Sequence, residues 1–522
     1  MMVYHWAQNF TVTHDDVDFL VGLLLEREIP LSTDALAEAL IERKLADEAT
    51  AIQERFKNVR LYNPSHAYTL DEQIVFPAFG YASGTITLLR DGDNPDYGPF
   101  KVMRVRFDGT EPEREFAAEL SIPHRLADSA DDAAAAAPWH NTFTAADILA
   151  HARVDVVKKL SEALRTHDEL VSVAGTWFPR SLMIDVNVGY LNLAEAVLDM
   201  IGGGPLTSAE ILDQIGGLGS ADVSLQLFCL NHALNEDARF DEVGPVDQIL
   251  WYLRREEPPE AHTPPPMLVY TPVDYDPDAL PPEMQALEIE IDDEWSDFLE
   301  DDAETDVGEV QITLNYPHRR MGTLPLNAKM RRIFPTARRT PRIFVRLIDG
   351  QDQAEYVGWV VREQRYVFGL GEWFRKHKLP VGAQVTIRRA EEPGKIIIDF
   401  QAYKPRTEWL RIITPKEGHI AFEDQKRAIG AHYDELMLLG ADDLAAVDAL
   451  FTQNSKKAVA ALAKTTLAEL SRAAPQSAIH GKTLYSALNV LRRLPPGPIF
   501  DAMIGSPDFE YMGNNYWKLS GV

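Results

Sequence analysis

Arg319, Arg320, Lys329, Arg331, Arg332, Arg338, Arg339 and Arg342 fall within 24 residues of the chain, in HRRMGTLPLNAKMRRIFPTARRTPR. Guanidinium and ammonium groups at this density suit one chemistry above others, the holding of phosphates whose counterions they displace. Pro325, Pro335 and Pro341 interrupt the run, so it reads as an extended arm that follows a groove or a backbone. Arg375, Lys376 and Lys378 repeat the signal in EWFRKHKL, and Arg388 and Arg389 repeat it in AQVTIRR. Phe334, Trp373 and Phe374 interleave with these charges, which suits a base-stacking surface and equally an ordinary core. The competing reading is a solvated basic face.

The charge of the whole chain points the other way. Its 80 Asp and Glu outnumber its 51 Lys and Arg, for a net charge of −29. The distribution is uneven, however, because residues 315–415 carry twenty Lys or Arg against nine Asp or Glu. Between Asp274 and Glu309 there are sixteen Asp or Glu and no Lys, Arg or His. Such a run is ordinarily solvated and disordered. Trp295, Phe298 and Leu299 within it have the character of groups that dock on something apolar and basic. Tethered beside a basic domain, its carboxylates would compete with phosphates at high effective concentration.

Other chemistry is thinly represented. There is no GxxxxGK[ST], HExxH, GxSxG or GxGxxG, and GLG at 217–219 and 369–371 lacks a strand-to-helix setting. His151 with Asp155, and His432 with Glu435, have helical spacing for a metal pair but no third ligand nearby. Asp91 and Asp93 begin like a calcium loop, but Pro95, Asp96 and Val102 occupy the next ligand, glycine and distal glutamate positions. The expectation is therefore a non-enzymatic protein with no cofactor and no metal site.

A string of small domains must position these charges, since 522 residues exceed one core. The pattern predicts an α+β multi-domain chain of helix-turn-helix units and small β-barrels. Residues 1–68 read as helical, with a winged helix as one form, and alternation over 69–125 reads as a small SH3-like barrel. LADSADDAAAAAPWH lies in a linker at 126–143, and helices with a winged helix follow at 144–256. Nine prolines at 257–282 and the acidic run make 257–309 an extended linker. Alternating RIFVRLI, EYVGWVV, AQVTIRR and KIIIDFQAY make 310–415 a basic β-barrel. Residues 416–522 read as a helical unit, with helices at about 422–438, 441–452 and 455–473, ending in a second winged helix.

Two hairpins repeat a pattern. Phe240, Gly244, Trp251 and Leu253 in DARFDEVGPVDQILWYLRR match Phe509, Gly513, Trp517 and Leu519 in PDFEYMGNNYWKLSGV. An aromatic enters, a glycine turns, and Trp and Leu on one strand face close the core. With its preceding helices the first stretch resembles the HARE-HTH winged helix, the kind found in the delta subunit of bacterial RNA polymerase. That resemblance implies a winged-helix fold over roughly 70 residues in the middle of the chain and, more loosely, 45 at its end, with Phe240, Gly244, Trp251, Phe509, Gly513 and Trp517 as framework. The third helix, DVSLQLFCLNHALNED, offers Ser224, Gln226, Asn231 and His232 but no cation, and 181–253 holds eleven acids against Arg239 alone. This copy is expected to dock protein, RNA polymerase being the partner the resemblance suggests. Lys482, Arg492, Arg493 and Lys518 give the terminal copy a weak duplex contact. VGWVVREQRYVFGLGEWFRKHKLPVGAQVTIRR also resembles B3-like DNA-binding pseudobarrels, which implies that the basic barrel contacts DNA.

The lone Cys229 excludes a disulfide framework, and no run of apolar residues is long enough for a bilayer span, so a cytoplasmic, membrane-free location is expected. The sequence reads as a transcriptional, nucleic-acid-associated factor. A protein-binding scaffold or inhibitor without DNA contact, and a recognition subunit of a DNA-processing or defence system, are the alternatives.

Overall fold

Thr13, Thr144 and Thr207 each cap a helix reciprocally, the hydroxyl accepting from the third helical N–H while the Asp or Glu there accepts from the threonine N–H. These boxes mark three of the starts in a computed structural model that describes residues 10–56, 60–76, 79, 82–108, 112–122, 124, 144–296, 308–472 and 474–521. The architecture is mixed α+β and multi-domain, with six sheets among the described residues. The chain divides into two compact units, Met1–Ile184 with Asp222–Phe228, and Asp185–Ala221 with Cys229–Val522.

In the first unit, α1 (His14–Arg27), the two-residue strand β1 (Leu31–Ser32) and α2 (Thr33–Phe56) precede a five-stranded sheet. That sheet runs β2 (Arg60–Leu61), β3 (Gln73–Phe76), β4 (Ala82–Asp91), β5 (Lys101–Phe107), β6 (Arg114–Ala118) in sequential order. Tyr62, Phe76, Phe107 and Phe116 pack together in its core. The chain then returns to the helices with α3 (Ala145–Arg165) and the hairpin β7 (Leu170–Val173), β8 (Thr176–Pro179). β8 pairs with β1, and Leu20, Leu36, Leu40, Ile148, Leu160 and Trp177 share one core. The five-stranded sheet is thus inserted into a helical unit whose hairpin lies beyond it.

That order of elements recurs over 188–253, in α4 (Val188–Asp199), β9 (Leu206–Thr207), α5 (Ser208–Gln214), α6 (Val223–Glu236), β10 (Phe240–Glu242) and β11 (Leu250–Leu253), all in the second unit except the start of α6, Val223–Phe228. In place of an extended linker, Met267, Leu268, Leu280, Met284 and Leu287 are buried, the last two on α7 (Pro282–Ile291). A seven-stranded, half-barrel sheet follows, in the order β12 (Glu309–Thr313), β17 (Gln384–Arg389), β18 (Lys395–Asp399), β14 (Arg342–Asp349), β15 (Glu355–Val361), β16 (Tyr366–Phe368), β13 (Thr323–Pro325). Three short helices belong to it: α8 (Tyr316–Met321), α9 (Ala328–Ile333) and α10 (Gly371–Lys376).

Next come a long antiparallel ribbon, β19 (Ala402–Ile413) and β20 (Phe422–Ala431), and the short β21 (Gly440–Ala441) beside β19. The helix expected at 422–438 is therefore a strand over its first ten residues. Charged FEDQKRAIGA lacks an apolar stripe but finds partners across a turn at Gly418, whose φ is +78°. The chain closes with α11 (Leu444–Asn454), α12 (Val459–Ser471), β22 (Ile479–His480), α13 (Gly481–Leu488), α14 (Pro496–Ile504), β23 (Phe509–Gly513) and β24 (Tyr516–Leu519).

Three times, then, a helix, a two-residue strand, two helices and a hairpin form a three-stranded sheet with the second hairpin strand in the middle. Each time a tryptophan on that middle strand stands opposite an aliphatic residue of the short strand: Leu31 with Trp177, Leu206 with Trp251, Ile479 with Trp517. All three indoles are 2% exposed. Trp177 Nε1–H donates to Thr33 Oγ1 at 2.9 Å, and Trp251 Nε1–H donates to Asn231 Oδ1 at 2.8 Å and Ser208 Oγ at 3.2 Å. Gly481 holds the place of Thr33 and Ser208 in the last copy, where a Cβ would meet Leu287 at 2.9 Å. The sequence pattern shows two of these hairpins and misses the first. Among the described residues no helix is long and apolar enough to cross a membrane.

Candidate nucleic-acid interface

Asn315 and Asn327 are the residues that decide what the basic run becomes. Their side chains accept from His318 N–H and Met330 N–H and cap α8 and α9, with Pro317 in the first turn of α8. The expected extended arm is therefore folded over 316–333; six of its eight cations lie on two short helices and the strand that starts at Arg342, and Arg338 and Arg339 lie in the connection before that strand.

α8 ends at Gly322 in the left-handed region, φ +69°, and a Cβ there would lie 2.8 Å from the Gly371 backbone. Two glycines thus let α8 approach the start of α10, which brings Arg319 near Arg375. Arg319 Nε–H donates to the Leu379 carbonyl at 2.5 Å, and its guanidinium lies 5.5 Å from the centre of the Phe374 ring. Burial first, and then the like charge of Arg375, push the Arg319 pKa below the ordinary guanidinium value. Arg375 and Lys378 are exposed, and Lys378 sits at φ +51° in the turn after α10.

These three cations line a cavity of about 500 Å³, joined by Arg320 and Arg427. Leu410, Ile412, Ile429 and Leu439 form its apolar wall. Arg320 makes a bidentate pair with Asp448, at 3.2 and 2.6 Å, and Arg427 pairs with Asp442 at 2.6 Å. Among the described residues no carboxylate lies within ion-pair distance of Arg319, Arg375 or Lys378. An anion entering the cavity meets uncompensated positive charge.

The remaining predicted cations scatter. Lys329 pairs with Asp292 at 3.0 Å, Arg338 with Glu242 at 3.6 Å, and Lys376 with Asp349 at 2.9 Å and Asp352 at 2.5 Å. Arg342 pairs with Asp241 and, at 3.3 Å, with Glu257. Arg331 and Arg332 are half-buried on α9, Arg388 is exposed at the end of β17, and Arg389 beside it donates to the Ile333 carbonyl at 3.0 Å. Arg339 lines a smaller cavity of about 240 Å³ with Arg342, Asp241 and Glu242. Phe334, Trp373 and Phe374 are at most 1% exposed, so they are core and not a stacking surface.

Sequence reasoning missed Arg427 and the ribbon. Trp409 is 64% exposed, with Lys426 Nζ 5.0 Å from its ring centre on the paired strand. The signal that reveals them is two alternating segments flanking Pro415-Lys-Glu-Gly418.

The acidic run is in part structural. Asp293 and Glu294 are buried, and Arg493 Nη2 meets them at 2.7 and 2.6 Å, while His318 Nε2 lies 3.0 Å from Glu294 and Tyr485 O–H donates to Asp293 at 2.6 Å. Burial opposes ionisation of both carboxyls most strongly. For Glu294 the Arg493 and His318 charges outweigh it and hold the pKa well below the usual range, whereas Asp293 is left above its ordinary value. Trp295 lies 4.8 Å beneath the Arg365 guanidinium. Phe298 and Leu299 lie outside the described residues.

The terminal copy's cations are likewise engaged. Arg493 is 1% exposed, Lys482 pairs with Glu290 at 2.6 Å and Asp434 at 2.8 Å, Lys518 pairs with Glu510 at 3.1 Å, and Arg492 donates to the Lys457 carbonyl at 2.7 Å. In the middle copy Asn231, a candidate base reader, is 7% exposed and committed to Trp251. Its hairpin lies against the basic sheet, where Phe344 N–H donates to the Val243 carbonyl at 2.8 Å and Tyr252 packs against Phe344 and Trp359.

Compared with known proteins, the chain matches no family model, no curated protein and no solved structure.

Proposed function

We propose that the protein is a non-enzymatic, nucleic-acid-associated factor of the transcriptional kind. In this reading the three repeated helical units are winged helices, and the basic half-barrel with its ribbon contacts DNA. The observation that carries it is the cluster of Arg319, Arg375 and Lys378 without carboxylate partners, beside a ribbon that exposes Trp409 under Lys426. Cations left uncompensated favour an external anion, and an exposed aromatic among them offers a face to a base. The acidic middle copy, with Gln226 and Asn231 of its helix buried, suits a protein surface, RNA polymerase being the partner its resemblance suggests. Retention of labelled duplex by the full chain at about 50 mM salt, lost as salt rises, tests the DNA contact, and co-purification with polymerase tests the partner.

A second reading is a protein scaffold without DNA contact. It is favoured by the five predicted cations, Arg320, Lys329, Arg338, Arg342 and Lys376, whose charge is met by the chain's own carboxylates. Absence of duplex retention at low salt would select it.

A further inference from the structure

We infer that the cavity bounded by α8, α10 and the β19–β20 ribbon binds a nucleotide through a terminal phosphate monoester. The inference rests on the nucleic-acid reading of this basic site and narrows it to one ligand class.

The cavity, about 500 Å³, has the size of a small-molecule site, so a duplex cannot enter it and meets only its exposed cations, Arg375 and Lys378. Its uncompensated cations number three, and they converge because Gly322 and Gly371 let two helices meet. An internal phosphodiester brings one negative charge to such a cluster, whereas a terminal monoester brings about −1.5 to −2 at neutral pH and three acceptor oxygens. Arg319 is held by the Leu379 carbonyl through Nε and by the face of Phe374, so its fork is pre-oriented for such an anion.

The apolar wall selects the rest of the ligand. Leu410, Ile412, Ile429 and Leu439 offer no hydrogen-bonding side chain. A sugar phosphate would lose hydration of its hydroxyls against them without replacement, while the flat face of a nucleobase would gain burial. A 5′-phosphorylated nucleotide satisfies both walls, either free or as the end of a strand.

Calorimetric titration of the full chain tests this with adenosine 5′-monophosphate, adenosine, inorganic phosphate, and 5′-phosphorylated and 5′-hydroxyl single strands. The expected result is that the monophosphate binds at least about tenfold more tightly than adenosine or phosphate alone. Arg375→Gln and Lys378→Asn each weaken it at least about tenfold, asparagine being chosen because it tolerates positive φ. Lys464→Gln, which removes an exposed ion pair to Asp508 outside the cavity lining, leaves it unchanged. A 5′-phosphorylated strand that outcompetes its 5′-hydroxyl twin identifies strand ends as the source, and equal strands beside tight monophosphate binding identify the free nucleotide. Adenosine binding as tightly as its monophosphate, or both variants binding like the parent chain, overturns the inference. Strands held without regard to their 5′ group and no monophosphate binding would overturn it while leaving nucleic-acid contact intact. Monophosphate binding without any strand or duplex retained would uphold it and remove the wider reading.

Discussion

Arg493 and Asp293, 200 residues apart in the chain, form an ion pair of 2.7 Å with neither side chain exposed. Glu294 shares the same guanidinium, so the acidic segment is fixed to the terminal helical unit by charge that water does not reach. Removing the cation alone would leave two buried carboxyls facing each other. Arg493→Met is therefore expected to destabilise the unit by about 3–5 kcal/mol in urea unfolding. Adding Asp293→Asn and Glu294→Gln to Arg493→Met should recover most of that loss. If the triple variant is as unstable as the single one, packing of the arginine stem and not its charge holds the segment.

Glu288, on α7, is fully buried and accepts from Tyr275 and Ser296 hydroxyls at 3.2 and 3.1 Å. Burial raises its pKa from 4.5 to about 7, the hydroxyl bonds offsetting only part of the cost. The folded state thus holds the proton more tightly than the unfolded chain. The resulting stabilisation is complete below pH 4.5 and is lost as pH rises through about 7. Glu288→Gln removes the titration, so its stability relative to the parent should improve between pH 5 and 8 by up to about 3 kcal/mol. Parallel stability curves for parent and variant over that range would show that Glu288 does not titrate there.

The tryptophan of each repeated unit gives a third test. Thr33 Oγ1 accepts from Trp177 Nε1–H and donates to the Gly175 carbonyl at 2.8 Å. Thr33→Val keeps the shape and strands both partners, at an expected cost of about 1–3 kcal/mol in urea unfolding. In the last unit the corresponding Gly481 faces Leu287 and Phe500, at 2.9 and 3.1 Å from where a Cβ would stand. Gly481→Ala should cost about 1–3 kcal/mol by overpacking. A neutral Gly481→Ala would mean that α7 yields at this contact.

Local patterns carried much of the fold. Alternation in RIFVRLI and AQVTIRR marks β14 and β17, and the aromatic and glycine spacing marks the last two hairpins. The first hairpin escaped because the sheet β2–β6 comes between its helices in the chain, so its Leu170, Gly175 and Trp177 are distant in sequence from α1 and α2. Ribbon strand β20 escaped because charged FEDQKRAIGA pairs with a partner strand and not with a core. The candidate site was legible as charge density and illegible as geometry. Asp448 beside Arg320, Glu257 and Asp241 beside Arg342, and Asp349 beside Lys376 are tertiary partners, and no spacing rule locates them. Density found Arg319, Arg375 and Lys378, and the fold distinguished them from their paired neighbours.

The exposed Trp409 offers a readout separate from charge. If the ribbon stacks a base, single-strand binding should quench its fluorescence, and Trp409→Ala should weaken that binding by about 1–3 kcal/mol with little change in salt dependence. An unaltered affinity would take the ribbon out of the interface.

A nucleic-acid role for this site requires that its unpaired cations meet phosphates. The most direct measurement is the slope of log affinity against log salt for the full chain and an Arg375→Gln/Lys378→Asn variant. For duplex DNA the slope should become shallower by about 1.8, since each phosphate contact contributes about 0.9. Equal slopes, or no binding by the parent chain at about 50 mM salt, would contradict a nucleic-acid role for this site.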